Sequence, residues 1–111
     1  MTTKSHIVEL AKSADRDLEA LFDYVAATRS SDEAHTLLDQ LAEHAGTLET
    51  FPERGPVSPE LAAAGVLEFR QLLHGPYRLI YKLQKRRVIV VAIVDGRRNL
   101  LALLQRRLLG E

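Results

Sequence analysis

The sequence predicts an α+β fold: an N-terminal helical hairpin packed on a small, mostly antiparallel sheet, in the order β-α-α-β-β-β with a C-terminal helix. Three observations predict it. Residues 14–49 carry two successive apolar stripes at amphipathic-helix spacing. Residues 51–59 hold Pro52, Pro56, Pro59 and Gly55, which break regular structure. After that loop the apolar period shortens to that of strands. With 111 residues, all of this belongs to a single domain over 1–111.

Ile7, Val8 and Leu10 beside polar neighbours predict an opening strand over residues 5–10. A helix over 14–29 follows, its stripe made of Ala14, Leu18, Leu21, Phe22, Val25 and Ala26. Ser13 has the chemistry of its N-cap, and Asp15 and Asp17 suit the positive end of the helix dipole. Ser30 and Glu33 have capping-box spacing, so a second helix starts there and runs to about Glu49. Its face is Ala34, Leu37, Leu38, Leu41, Ala45 and Leu48. So short a break between two such helices makes them an antiparallel hairpin.

Segments 66–73 and 77–83 read as strands joined by the turn His74-Gly75-Pro76. In the second, Tyr77, Leu79, Tyr81 and Leu83 alternate with Arg78, Ile80 and Lys82, one set on each face. Residues 84–87 form a charged turn. The β-branched run 88–94 is the pattern of a strand buried on both faces or in mid-sheet. Asp95-Gly96 ends it, and residues 99–109 form an amphipathic or wholly apolar helix with Leu100, Leu101, Leu103, Leu104, Leu108 and Leu109.

Composition excludes several classes of function. Cysteine is absent, which removes disulfides, thiol catalysis and Cys-ligated metals. The longest apolar run, 88–94, is far short of the ~20 residues of a membrane span. The first residues lack the apolar core of a secretory signal, so a cytoplasmic protein without membrane contact is expected. His6, His35, His44 and His74 lack ligand-like spacing and are expected as surface histidines, with no metal and no cofactor. Neither a Walker motif nor GxGxxG occurs. Asp15, Glu19 and Asp23 form an i, i+4, i+8 ladder, read as a solvated face in preference to a docking or acid–base site.

Charge is zero overall but divided. Residues 1–53 carry eleven acidic and four basic side chains; residues 54–111 carry eleven basic and four acidic. The halves either neutralise each other within the fold or create a basic face for a charged partner. Arg70 and Arg78 fall on adjacent strands, and Arg97 and Arg98 directly follow the apolar strand. Gathered at one end of the sheet, they would form a cationic concavity for phosphates or carboxylates. A ring of arginines can equally satisfy buried acids and strand ends.

Five stretches then carry a resemblance in order and spacing: residues 17–25 (DLEALFDYV), 51–55 (FPERG), 69–72 (FRQL), 75–81 (GPYRLIY) and 95–99 (DGRRN). Together they resemble the RelE/ParE toxin superfamily over roughly residues 5–108. The resemblance implies the toxin of a bacterial type II toxin–antitoxin module, of plasmid-stabilisation type, with a helical hairpin against an antiparallel sheet. Its ParE-like branch is implied by the 51–55 loop and the 77–81 strand, and by the lack of Tyr or His after Tyr81.

ParE-like function implies direct inhibition of DNA gyrase and no catalytic residue. Arg70, Arg78, Arg97 and Arg98 would form the target-binding end. A ParD-like cognate antitoxin would lay an amphipathic helix into a groove of the hairpin lined by Leu21, Phe22, Val25, Leu37 and Leu41, giving a hetero-oligomer. Zero net charge argues against seating among nucleic-acid phosphates, so no direct nucleic-acid binding is expected. The alternatives are a RelE-like, metal-independent, ribosome-dependent mRNA endoribonuclease using Tyr77 or Tyr81 for proton transfer, and an inactive antitoxin-binding family member. Asp95 stands where many relatives have His, and Asn99 where Asp is frequent.

Overall fold

Ser30 acts as its spacing from Glu33 predicts: its hydroxyl accepts the Glu33 backbone N–H at 3.1 Å and starts a helix. The computed structural model describes residues 5–108. In chain order these form β1 (Ile7–Leu10), α1 (Lys12–Thr28), α2 (Ser31–Gly46), a 3-10 turn (Thr47–Glu49), α3 (Pro59–Ala63), β2 (Phe69–His74), β3 (Tyr77–Gln84), β4 (Arg87–Asp95) and α4 (Leu100–Leu108).

The α+β class and the element order are as predicted, with differences that have local causes. Ser13 does not cap α1. The helix follows Ala11, and the Ser13 hydroxyl donates to the Val91 carbonyl at 3.1 Å, a group that β4 leaves without a strand partner. The short helix α3 sits at the edge of the Pro-rich segment, with Pro59 in its first turn, where a missing N–H costs nothing. The strand expected over 66–73 begins only at Phe69 and extends to His74.

The four strands form one sheet in the order β1-β4-β3-β2. β2–β3 and β3–β4 are antiparallel; β1 joins β4 in parallel, Ile7 opposite Arg87 and Leu10 opposite Val90. β4 is therefore an interior strand, which explains its unbroken apolar run. Between Ile80 and Tyr81 the pairing slips by one residue, from Ala92 to Val90, leaving Val91 as a bulge. That insertion switches the faces. Val88, Val90 and Ile93 pack under the helical hairpin, whereas Ala92 and Val94 face the opposite side.

Both faces of the sheet are covered. Under α1 and α2 lie Ala14, Leu41, Ala45, Leu48, Leu72, Leu79 and Tyr81 with the β4 residues. On the other face Leu61 of α3 and Leu100, Leu103 and Leu104 of α4 bury Phe69, Ile80, Ala92 and Val94. The predicted alternation of β3 holds: Leu79, Tyr81 and Leu83 face the hairpin, and Ile80 faces α4. Leu100, Leu103 and Leu104 of the leucine-rich terminal segment are thus core, and Leu109 lies outside the described residues.

Candidate functional site

The four arginines do not gather in one place: Arg78 reaches the turn that carries Arg97 and Arg98, and Arg70 stays apart. Arg70 and Arg78 lie on opposite faces of the sheet, because their positions in the paired strands have opposite parity: Arg70 is opposite Tyr81, which faces the hairpin, and Arg78 is opposite Val94, which faces α4. Register, invisible in the linear spacing, is what separates them.

Arg70 fastens the 51–55 loop. Its Nη1 donates to the Gly55 carbonyl at 2.8 Å and the Glu53 carbonyl at 3.2 Å, and Nη2 lies 3.8 Å from the Glu53 carboxylate. The Gly55 N–H donates to the Tyr81 hydroxyl at 3.1 Å. A Cβ on Gly55 would stand 2.4 Å from the Gln71 carbonyl oxygen and 2.8 Å from the Tyr81 hydroxyl, so only glycine allows this approach. Burial raises the Tyr81 hydroxyl above its ordinary pKa.

Arg78 is largely buried, its side chain 14% exposed. Nε and Nη2 donate to the Gly96 carbonyl at 3.1 and 2.6 Å, Nη1 donates to Gln71 Oε1 at 3.3 Å, and the same nitrogen lies 2.6 Å from Glu60 Oε2. Burial alone would raise the Glu60 pKa; the hydrogen bond from Arg78, helped by the backbone and Ser58, outweighs it and brings the carboxyl below its usual value. Arg78 therefore joins β3, α3 and the turn after β4, with its charge already neutralised.

Arg97 and Arg98 are exposed. The Arg97 guanidinium grips Asp95 at 3.1 and 3.2 Å, while its backbone N–H donates to the same carboxylate at 2.9 Å. The side-chain bond, then the backbone bond, lower the Asp95 pKa, and Asp95 in turn raises that of Arg97. This fixes the turn that presents Arg98. Arg98 borders a cleft of about 370 Å³ between α1 and the end of β4, with Leu21, Tyr24, Tyr77 and Asp95 on its walls. Tyr24 is 65% exposed. Of the four, Arg97 and Arg98 are thus the exposed ones, Arg97 bound to Asp95 and Arg98 beside two tyrosines.

The predicted hairpin groove is also redistributed. Val25 and Leu41 are 3% and 2% exposed, largely covered by intramolecular packing. Leu21 and Leu37 are half-buried against the core, and Phe22 is half-buried with its ring edge-on to His35 at 4.8 Å. A second cleft, about 440 Å³, separates the hairpin from the β2–β3 turn and is lined by Leu37, Gln40, His74 and Tyr77.

The ion pair of Arg107 with Asp17 escaped sequence reasoning, which gave Asp17 only a place at the helix dipole. Asp17 lies three residues after Ala14 and four before Leu21, at the margin of the buried stripe, and that position was the signal for its burial. Among the described residues no group of three or more His, Asp or Glu is arranged to hold a metal ion, and no helix is long and apolar enough to cross a membrane.

A helical hairpin over one face of a four-stranded sheet, with a terminal helix behind it, defines a small toxin-like α+β domain. Residues 8–100 match the family described as "ParE toxin of type II toxin-antitoxin system, parDE", and the chain belongs to that family within the RelE/ParE superfamily. Among solved structures, the chromosomal ParDE toxin–antitoxin system from P. aeruginosa is similar, with a TM-score of 0.70 at 16% identity over 84% of this chain and 98% of that one. The toxin–antitoxin complex RelBE2 from Mycobacterium tuberculosis is also similar, with a TM-score of 0.55 at 22% identity over 82% and 98%. At these identities both show a shared fold. No curated protein sequence matches.

Proposed function

We propose that this ParE-family toxin inhibits DNA gyrase by direct binding, without a catalytic residue of its own, and is neutralised by a ParD-like antitoxin in a hetero-oligomer. The observation that carries the reading is the family match across residues 8–100. The arrangement of side chains supports a binding mechanism. Arg98, held out by the Asp95–Arg97 turn beside Tyr24 and Tyr77, offers a cation and aromatic surface to a protein target. Arg70 and Arg78 act one step back, holding the 51–55 loop and the turn at Gly96 in place.

The ribonuclease alternative needs a tyrosine able to exchange a proton with substrate. Tyr81 is fully buried, accepts the Gly55 N–H, and has a raised pKa, all of which oppose that use, so proton transfer would fall to Tyr77, half-buried on the cleft beside Arg98. For the antitoxin, Leu21, Phe22 and Leu37 are the positions of the expected groove with remaining exposure, so an amphipathic helix would bear on them over Val25 and Leu41. The complexes formed by the two structural relatives are consistent with such a partner.

Gyrase supercoiling by stoichiometric purified protein tests this. Inhibition that falls in R98A is the expected result. Uninhibited gyrase together with cleaved messages in induced cells would replace the reading by ribonuclease action. Normal growth on induction without antitoxin would assign the chain to an inactive, antitoxin-binding role.

A further inference from the structure

We propose that His44 and His74 form an acid-sensitive clasp that fastens the β2–β3 turn to α2 and sets the width of the cleft between them. Thirty residues apart in sequence, their rings come to 5.6 Å between centroids, tilted by 56°. His74 Nε2 lies 3.3 Å from Gln40 Oε1, the geometry of an imidazole N–H donating to an amide oxygen. His44 and Gln40 are one turn apart on α2, so β2 is held at its last residue by two successive positions of the helix. Both rings are half-buried. His74 leads into Gly75, whose φ of 56° makes the tight turn, and these two residues with Pro76 and Tyr77 form one wall of the 440 Å³ cleft. Val25, Leu37 and Gln40 belong to the opposite wall.

The surroundings make this contact tolerant of two neutral rings and intolerant of two charged ones. His44 is depressed below the ordinary imidazole value of 6.5 by burial first, then by the charge of His74, then by Arg54 in the loop after α2. On α2 itself Gln40 is neutral and Glu43 is exposed on the adjoining face. The charged groups lining the cleft, Arg29 with Asp32 and Glu33, sit around the N-terminus of α2, about three turns or more along the chain from His44. A doubly protonated pair therefore faces a third cation. Because the folded pKa of His44 lies below its unfolded value, the contribution is fully present above 6.5 and is lost as pH falls through the folded value.

The experiment compares thermal midpoints of the wild type, H44Q, H74Q and the double variant at about pH 7.5 and pH 5, with amide shifts followed across the same range. The wild type is expected to lose several degrees more on acidification than any variant. The double variant should match the singles, and the Gly75 and Tyr77 amides should move with the same midpoint as the His44 ring. Equal losses in all four proteins, or turn amides that ignore the His44 titration, would overturn the clasp.

Discussion

Arg107 of α4 and Asp17 of α1, ninety residues apart, meet in a two-pronged ion pair: Nη1 and Nη2 donate to the two carboxylate oxygens at 2.9 and 2.7 Å. The pair sits where β1 has ended and β4, still paired with β3, is open along its other edge. Asp17 also accepts the Ile93 N–H at 2.9 Å, and Arg107 also donates to the Val91 carbonyl at 2.8 Å. Together with Ser13, two side chains from helices on opposite faces of the sheet satisfy the backbone of the bulge. An open edge is thereby closed by side chains instead of by a strand.

Removing one partner should therefore cost more than a surface ion pair does. Both side chains are about 15% exposed, so Asp17→Ala leaves a poorly hydrated guanidinium and one unpaired backbone group, the Ile93 N–H. A loss of about 3 kcal/mol is expected in denaturant unfolding. The D17A/R107A pair should lose clearly less than the sum of the singles; strict additivity would contradict the coupling.

At Gly55 the expected fault is steric. Gly55→Ala forces a Cβ into the Gln71 carbonyl and the Tyr81 hydroxyl and should cost about 2 kcal/mol or more. Tyr81→Phe keeps the ring but strands the Gly55 N–H, for about 1–2 kcal/mol. Calorimetric midpoints for the two variants measure both effects.

Arg78 and Arg98 should behave oppositely. Arg78→Ala abandons Glu60 and the Gly96 carbonyl in a largely buried place and should destabilise by about 2–3 kcal/mol. Arg98→Ala alters an exposed side chain and should stay within about 0.5 kcal/mol of wild type in chemical unfolding. Loss of toxicity with a preserved midpoint in the second variant marks a contact residue; the first should lose activity together with fold.

Acid should weaken the link between α3 and β3. The Glu60 carboxyl is held below its ordinary 4.5, so its share of stability is present above that value and lost as pH falls through the folded one. Stability measured between about pH 5 and pH 3 should fall less steeply in E60Q than in the wild type. An identical acid limb in both proteins would show that the Arg78–Glu60 contact does not carry this dependence.

The helical hairpin was legible because its signals are local. Ser30 with Glu33, and the leucine stripe from Leu37 to Leu48, act over one or two turns and need no information from the rest of the chain. The β3 alternation and the Gly75 turn are equally short-range. The family motifs were legible for a related reason: each is a contiguous stretch, and their order is retained from residue 17 to residue 99.

The arrangement of the arginines was not legible in that way. Which face Arg70 and Arg78 meet depends on the β2–β3 register, just as a single bulge residue, Val91, switches the faces of the apolar residues along β4. The same long-range pairing brought Asp17 to Arg107 and His44 to His74, contacts between segments whose linear separation carries no trace of them. Local chemistry thus dictated the helices, the turns and the class of fold, since backbone dihedrals and capping respond to near neighbours. Tertiary packing selected which charges were neutralised and left Arg98 outward, because burial and ion pairing depend on where distant strands and helices finally meet.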